Sequence, residues 1–366
     1  MLAIPADAGD FTVKWLNSAL GDSGCLGQSK VVKCSARVSK EPGQTAEIIF
    51  LDVAYDSDAP DLPQSIVAKI TSQNPMIIQE IIANYDQYRR ETSFYRDFPD
   101  PGIPVPDCLY QSYDLSAQEF VILMRDLAPA ESPSWAASED QIVVALSKLP
   151  AFHSKWWNQD LLRGKDYLVQ FDDAEFFTLA FTAAQIISEN LPKIFSDCEA
   201  TMELMAVAKE KLPKMLSFLA SRPYTLVHGD YHSKQMFFPT AKGGHFSVID
   251  WQFPFVAQGA WDFARLLNVC ATTPFRQASE KLLLADYLAG LRAHGIESYS
   301  MDELEQDYRM GLVISHMINT IAVGSTDISL VVTECNALGI DWQDLMFYRT
   351  QRSLIDWQVR QVLDDL

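Results

Sequence analysis

The stretch TLVHGDYHSKQMFFPTAKGGHFSVIDW, residues 225–251, decides the fold of this chain. One apolar run enters His228-Gly229-Asp230, and a later apolar run ends on Asp250. We expect the two carboxylates at strand ends joined by a hairpin, where side chains can reach a ligand without breaking the hydrogen bonds of a sheet. A carboxylate among apolar residues is costly to bury unless it holds a cation, a metal or a proton. The two aspartates therefore indicate a metal-assisted reaction.

Two interpretations of this stretch are open. The alternation of His228, Asp230 and His232 could supply ligands to a hydrolytic metal such as zinc. The other interpretation follows from a resemblance to a known family. A zinc hydrolase would need further His or Asp clusters, but the remaining histidines show no H-x-x-x-H spacing. That absence counts against the hydrolase.

The composition is that of a large globular protein. The chain has 366 residues, 48% of them hydrophobic, which suggests two lobes. Its net charge of −19 would repel phosphate backbones, so we expect neither nucleic acid nor an anionic membrane as a partner. The beginning of the chain lacks the features of a signal peptide, and the six cysteines contain no C-x-x-C. We therefore expect a cytoplasmic protein with reduced cysteines.

The central stretch resembles a known family. His228-Gly229-Asp230, an amide at Gln235 and then Ile249-Asp250-Trp251 resemble the catalytic core of aminoglycoside phosphotransferase and choline kinase-like kinases, most of all the ecdysteroid kinase-like branch. Those enzymes carry H-G-D-x-x-x-x-N followed by a metal-binding aspartate. The resemblance implies that Asp230 is the catalytic base, that Gln235 and Asp250 hold Mg²⁺, and that ATP donates the phosphoryl group. Gln235 departs from the family's asparagine but keeps an amide oxygen.

Lys69 and Glu91 are the predicted ion pair of the ATP-binding part. Lys69 lies in an apolar strand, Ser65 to Ile70, where a lysine needs a negative partner. Its Val-Ala-Lys-Ile context resembles the kinase strand whose lysine grips the ATP phosphates. An amphipathic helix is predicted from about Pro75 to Phe98, and Glu91 within it matches the family's E-x-x-F-Y pattern. By this resemblance Glu91 pairs with Lys69 and holds it in place.

A phosphate-covering loop is expected between the β-rich runs Val31 to Val38 and Ile48 to Tyr55. By the resemblance, its residues Gly43, Gln44 and Thr45 would lie over the ATP phosphates. The loop contains a single glycine, so an ordinary hairpin turn is an equal alternative.

A hinge strand is expected just before the lobe boundary. Leu109 to Tyr113 and Glu119 to Met124 are two further predicted strands, and Arg125-Asp126-Leu127 follows in place of the family's E-D-L. Met124 and Asp126 are therefore expected beside adenine. Hinge recognition uses backbone groups, so the changed side chain need not matter.

Helical spacing continues from Ser138 almost to the end of the chain. A helix is expected from Asp140 to Asn158 with a kink at Pro150, and His153 within it is interpreted as a hydrogen-bonded core residue. A short leading helix is expected from Asp10, as its cap, to Leu20. Further helices are expected at about 173–190, 200–220, 260–270, 276–294, 301–323 and 341–363.

Two more residues receive structural roles. Gly259 to Ala264 resembles the family's G-x-x-x-D-x-A, whose aspartate, here Asp262, supports the catalytic loop. A helix N-cap is the simpler interpretation of Asp262 and is compatible with that role. His232 is interpreted as loop scaffolding.

Together these patterns predict an α+β, bilobal protein kinase-like fold. Residues 1–127 would form a nucleotide-binding lobe, with a five-stranded antiparallel sheet and a helix, and residues 128–366 a larger, mainly helical lobe with the catalytic loop and acceptor pocket. The predicted activity is transfer of the γ-phosphoryl group of ATP, with Mg²⁺, to a hydroxyl of a small molecule. A catalytically silent nucleotide or ligand sensor with the same fold is the alternative from another class.

The acceptor and the assembly state are less specified by the sequence. The acidic and aromatic composition of Gly259 to Leu366 favours a cationic or lipophilic hydroxyl acceptor, although solvated surface carboxylates and core aromatics would give the same composition. A monomer or a homodimer is expected.

Overall fold

The structure, a computed structural model, describes residues 2–39, 45–57, 61–74, 85–325 and 327–366. The predicted loop residues Gly43 and Gln44, and the first part of the helix predicted from Pro75, lie outside these residues. The chain divides into two compact units, which are Met1–Glu131 with Pro239–Phe253, and Ser132–Phe238 with Pro254–Leu366. The functional division at residue 127 stays a prediction.

The first unit is built on a five-stranded antiparallel sheet. Strand order is β1-β2-β3-β5-β4, with consecutive neighbours antiparallel throughout. Branched and aromatic residues favour these strands because their side chains pack well on a pleated surface. The strands are β1 (Val31–Val38), β2 (Ala46–Tyr55), β3 (Ser65–Thr71), β4 (Cys108–Asp114) and β5 (Glu119–Arg125).

The two faces of β3 have different surroundings. Ile66, Ala68 and Ile70 are buried in one apolar cluster with residues of helix α1 (Val13–Asp22). Side chains alternate along a strand, so Lys69 points to the opposite face. Helix α2 (Gln87–Asp97) supplies the partner of Lys69.

The leading helix differs from its prediction at both ends. Asp10 ends a short 3₁₀ helix, Ala8–Asp10, and the cap of α1 is Thr12, whose hydroxyl accepts from the Trp15 N–H. The helix ends at Asp22 and not at the predicted Leu20. Asp10 was wrong as a cap because Asp7 and Asp10 cap the preceding 3₁₀ turn instead.

Residues 239–253 belong to the first unit, although they follow the predicted catalytic loop in sequence. The Val248 N–H donates to the Pro104 carbonyl at 2.9 Å. The Trp251 ring is fully buried and stacks on Phe94 of α2, with ring centroids 3.9 Å apart. These contacts bring Asp250 to the same unit as Lys69.

The second unit is mainly helical. Its small sheet has the order β6-β8-β7, in which β8 is parallel to β6 and antiparallel to β7. These strands are β6 (Val169–Gln170), β7 (Thr225–Val227) and β8 (Phe255–Ala257). The helices are α3 (Glu139–Lys155), α4 (Ala174–Ser188), α5 (Glu199–Glu210), α6 (Leu212–Ala220), α7 (Ala260–Cys270), α8 (Thr273–Ala293), α9 (Met301–Ser325), α10 (Ile328–Leu338), α11 (Arg349–Asp356) and α12 (Val359–Asp365), with a π-helical turn at Asp344–Tyr348.

Several helix predictions need correction. Helix α3 ends at Lys155 and not at Asn158; it contains Pro150, and the kink predicted there stays a prediction. The helix predicted at 200–220 is two helices, because Pro213 starts a new one. The helix predicted at 341–363 is broken at Gln358, whose φ is +48°. Helix α10 was missed, although Asp327 caps it and Gly339 follows its end.

The α+β class predicted from the sequence is confirmed. Within the described ranges, no helix is both long enough and apolar enough to cross a bilayer.

Candidate functional site

Lys69 lies between two carboxylates of the first unit. Its ammonium is 2.7 Å from the Glu91 carboxylate and 2.6 Å from that of Asp250. The Lys69 and Glu91 side chains are 10% and 1% exposed, and that of Asp250 is 17% exposed. The contact predicted between Lys69 and Glu91 is therefore present, and the structure adds Asp250 as a second partner.

Burial and charge act in opposite directions on these groups. Burial lowers the pKa of Lys69, but the Asp250 and Glu91 carboxylates outweigh it, and the net pKa of the ammonium is raised. Burial raises the pKa of Glu91 to about 7, against the attraction of Lys69 and with further help from the charge of Asp250. One lysine thus faces two carboxylates, so the charge of this group favours binding of another cation.

Asp250 is held in an unusual backbone conformation. Its φ is +67°, in the left-handed region that non-glycine residues rarely adopt and that aspartate tolerates better than most. The carboxylate also accepts from the Gln252 side chain at 2.6 Å. Thr45, predicted as a phosphate-loop residue, donates its hydroxyl to the Gln252 amide oxygen at 3.0 Å. Thr45, Lys69, Glu91 and Asp250 therefore form one connected polar group.

The two predicted hinge residues lie at and just after the end of β5. Met124 is buried and pairs with Val67 of β3. The Asp126 carboxylate accepts from the Ser65 hydroxyl at 2.6 Å and from the Ala128 N–H at 2.9 Å. These contacts give Asp126 a structural task in the turn after β5, and its place beside adenine stays a prediction.

In the second unit, the predicted catalytic loop follows β7 directly. Gly229 has φ +83°, a conformation that favours glycine, and this turn presents Asp230 after a fully buried His228. Asp262 of α7, also fully buried, accepts from the N–H groups of His228 at 2.7 Å and Gly229 at 2.9 Å. The predicted support of the loop by Asp262 is present. The N-cap interpretation is wrong because Asp262 lies inside the helix.

Each oxygen of the Asp230 carboxylate has a partner. Arg265 of α7 donates to one oxygen at 2.9 Å, and Nε2 of His232 lies 3.3 Å from the other. The His232 ring also packs on Trp135, with centroids 4.7 Å apart. Burial would raise the pKa of Asp230, but His232 and Arg265 outweigh it and hold that pKa well below the usual value. Asp230 is therefore an ionised hydrogen-bond acceptor.

Arg265 and Gln252 are site residues that the sequence analysis missed. Arg265 lies in a helix whose residues are all buried, so it carries the same signal that marked Lys69, a charge in an apolar run. Gln252 carried no comparable signal, because its importance comes only from its contact with Asp250.

Gln235 ends a 3₁₀ turn, Ser233–Gln235, and its N–H donates to the His232 carbonyl. The amide oxygen of Gln235 and the carboxylate of Asp250 are ligands of the type that Mg²⁺ takes. The excess of carboxylate over ammonium around Lys69 also suits a cation. The donor chemistry thus fits the expected metal.

The structure gives no support to the hydrolase interpretation. The His228 ring is fully buried, and its Nδ1 accepts from the Asp230 N–H at 3.3 Å. Among residues that the structure describes, no three His, Cys, Asp or Glu side chains are grouped so that they could hold a metal ion. His153, as predicted, is a core residue, with Nδ1 2.7 Å from the Tyr287 hydroxyl.

The fold defines the class of the protein. A candidate aminoglycoside phosphotransferase from Ralstonia eutropha JMP134 is similar over 90% of this chain and 93% of its own, with 14% identity and a TM-score of 0.51. A Plasmodium vivax ethanolamine kinase matches over 90% and 84%, with 12% identity and a TM-score of 0.49. A choline/ethanolamine kinase family protein from Mesorhizobium loti matches over 90% and 91%, with 14% identity and a TM-score of 0.47. The chain has the protein kinase-like fold of the phosphotransferases.

The family follows from the sequence match. The model of the family DUF1679, described as "Uncharacterized oxidoreductase dhs-27", matches residues 137–325. The chain belongs to this family, an ecdysteroid kinase-like family of the aminoglycoside phosphotransferase and choline kinase-like superfamily. No curated protein matches the chain.

Proposed function

We propose that this protein is a small-molecule kinase that transfers the γ-phosphoryl group of ATP to a hydroxyl group. The observation that carries the proposal is Lys69, buried between Glu91 and Asp250 in the first unit. A lysine fixed by two carboxylates is a point charge whose position is set in advance, as phosphate binding requires. Glu91 and Asp250 then orient Lys69 toward the nucleotide phosphates.

The second unit would supply the groups that act on the acceptor. The Asp230 carboxylate accepts a hydrogen bond from the hydroxyl and orients its oxygen for attack. The loop that carries Asp230 is fixed by Asp262, which holds the backbone on the N-terminal side of the aspartate. Phosphoryl transfer depends mostly on such positioning and on charge, so a rigid loop serves it well.

Gln235 and Asp250 would hold Mg²⁺ through their oxygen atoms. When bound, Mg²⁺ neutralises charge on the phosphates of the nucleotide. Glutamine keeps the amide oxygen of the family's asparagine and is one methylene longer. Gly43, Gln44, Met124 and Asp126 remain predicted nucleotide contacts.

A silent nucleotide sensor is the second candidate, and one observation favours it. Both oxygens of the Asp230 carboxylate already have partners, Arg265 and His232. An acceptor hydroxyl would have to share one of these oxygens, whereas a sensor would need no such access. Turnover separates the two functions, because a sensor binds ATP without consuming it.

The test is ATP consumption across a panel of acceptors. Purified protein is incubated with Mg²⁺-ATP and amino alcohols, lipophilic alcohols, sugars and phosphorylated alcohols, and ADP release is measured. A kinase consumes ATP faster with at least one hydroxyl acceptor than with its deoxy analogue. No ATP consumption with any acceptor, together with a measurable ATP affinity, would favour the sensor. Oxidation of NADH or NADPH in parallel tests the oxidoreductase activity that the family description names.

The charge of the chain bears on the acceptor. With a net charge of −19, the protein attracts cations and repels anions at long range. We therefore expect cationic or neutral lipophilic hydroxyl compounds to be accepted ahead of carboxylated or phosphorylated ones. Rates with cationic acceptors should fall as added salt screens the field, whereas rates with neutral ones should not.

A further inference from the structure

Arg265 is a buried arginine that the family motif does not account for. Its side chain is 4% exposed, and its Nε lies 2.9 Å from one oxygen of Asp230. On its other side, Nη1 donates to the Asn319 side-chain oxygen at 2.5 Å and to the Ser315 carbonyl at 3.4 Å, both on α9. A buried guanidinium needs such a set of fixed partners, and its planar fork makes their geometry specific.

Arg265 and Asp262 are two residues of α7 that contact the same loop. The two residues are three positions apart on α7, so they lie on the same face of the helix. Asp262 accepts from the backbone just before Asp230, and Arg265 donates to the side chain of Asp230. One face of α7 therefore fixes both the backbone and the carboxylate of the catalytic loop.

The groups facing Asp230 come from α7 and from the loop itself. Arg265 faces it from α7, His232 lies at 3.3 Å, and His228 adds a weaker attraction. Arg265 is the permanent charge among them. Among the described residues, Arg265 is the side chain that contacts this oxygen, so its loss would leave the carboxylate with the His232 contact on the other oxygen.

We propose that Arg265 is a positioning residue that fixes the direction of the Asp230 carboxylate, and that Asn319 of α9 holds Arg265 in place. The proposal rests on the proposed kinase function and extends it from the catalytic loop to α7 and α9. It predicts that the effect of Arg265 on turnover passes through the Asp230 carboxylate and does not involve nucleotide binding.

The experiment uses ATP turnover with water as the acceptor, so that no substrate need be known. Arg265→Met keeps the length and packing of the side chain and removes its charge, and Arg265→Lys keeps the charge. The matched control is Arg276→Met, which removes another buried arginine of the second unit whose partners are Glu280 and Asp356. We expect Arg265→Met to lower kcat about 100-fold with the KM for ATP within about twofold of wild type. Arg265→Lys should recover part of the loss, and Arg276→Met should leave kcat unchanged.

A double-mutant cycle shows whether Arg265 acts through Asp230. In the Asp230→Asn background, Arg265→Met should cost no further activity. A kcat of Arg265→Met equal to wild type, or a full additional loss in the double variant, would overturn the proposal. If Arg265→Met does not fold, Asn319→Leu removes the support from behind and should lower kcat about 10-fold.

Absence of wild-type turnover both with water and with every acceptor of the panel would contradict the proposed function, and a second readout then tests Arg265 alone. The carboxyl ¹³C resonance of Asp230, assigned by its loss in Asp230→Asn, is followed against pH. In Arg265→Met the midpoint of the Asp230 titration should rise by about one pH unit or more. An unchanged midpoint would overturn the role of Arg265 whatever the activity of the protein.

Discussion

In the first unit, the ammonium of Lys69 lies 2.6 Å from the carboxylate of Asp250, although the two residues are 181 positions apart in the chain. Lys69 comes from β3 and Asp250 from the segment that follows Ser247–Val248. The segment is fixed by the Val248 bond to Pro104 and by the stack of Trp251 on Phe94. An aspartate that follows the catalytic loop in sequence is thereby made a partner of the predicted ATP-binding lysine.

Replacing Lys69 should affect ATP binding and stability together. In Lys69→Met, Glu91 and Asp250 lose their shared cation, so we expect about 3 kcal/mol less free energy of unfolding. Loss of the charge-assisted contact to phosphate should weaken ATP binding roughly 10- to 100-fold. Calorimetric titration with ATP and urea unfolding measure the two effects. Lys33→Met, at an exposed position of β1, is the control, and an unchanged ATP affinity in Lys69→Met would contradict the assignment.

Asp250 and Gln235 should control the magnesium requirement. Asn tolerates the left-handed conformation of residue 250, so Asp250→Asn removes the charge and keeps the turn. We expect the Mg²⁺ concentration for half-maximal ATP turnover to rise about 10-fold or more. Asp52→Asn, at an exposed position of β2, serves as the control.

The amide at position 235 gives a second test of the metal site. Gln235→Ala should raise the Mg²⁺ requirement far more than Gln235→Asn, because asparagine keeps the amide oxygen. Identical Mg²⁺ titrations for the two variants and the wild type would show that Gln235 is not a ligand.

Asp262 should be required for activity although it is fully buried and holds the backbone of the loop. Its two oxygens accept from separate N–H groups, those of His228 and Gly229. In Asp262→Asn one of these N–H groups would face an amide NH₂, which leaves a buried donor without an acceptor. We expect a loss of about 1–3 kcal/mol in stability and about 100-fold in kcat. Asp286→Asn, exposed on α8, should change neither, and full activity of Asp262→Asn would refute the supporting role.

His316 should make the second unit sensitive to acid. Burial lowers the pKa of this histidine from 6.5 to about 3, and its ring nitrogens contact the hydroxyls of Thr201 and Thr350 at 2.9 Å. The unfolded chain binds a proton near pH 6.5 and the folded one does not. The stability contributed by neutral His316 is therefore complete above pH 6.5 and is lost as pH falls toward 3. At pH 5 the loss should be about 2 kcal/mol.

Urea unfolding at pH 7.5 and pH 5 measures this effect. The free energy of unfolding should differ between pH 7.5 and pH 5 by about 2 kcal/mol less in His316→Gln than in the wild type, because glutamine cannot titrate in this range. An equal difference in the variant and the wild type would show that another group is responsible.

The parts of the fold that the sequence predicted well are those governed by local periodicity and by isolated charges. Strands β1 to β5 follow branched apolar runs, and helix α7 starts and ends as expected at residues 260 and 270. Lys69 and Glu91 were identifiable because a charge in an apolar segment needs a partner. The contact between them is present in the structure at 2.7 Å.

The predictions that failed concern features that depend on contacts between residues distant in sequence. The break at Gln358 requires a positive φ in a residue that rarely adopts it, and only the surrounding packing can impose that. Arg265 is different, since its charge in a buried helix could have been noticed, but its partner Asp230 lies 35 residues away on a loop.

The central claim is phosphoryl transfer to a hydroxyl with Asp230 as the orienting carboxylate. The most direct measurement follows ³³P from the γ-position of ATP into the acceptor that the panel selects, with wild type and Asp230→Asn compared at saturating Mg²⁺. We predict labelled acceptor with the wild type. With Asp230→Asn we predict a transfer rate that is lower by a factor of about 100 or more, at a nearly unchanged ATP affinity. Equal transfer by the two proteins, or ATP binding without label in any acceptor, would contradict the account.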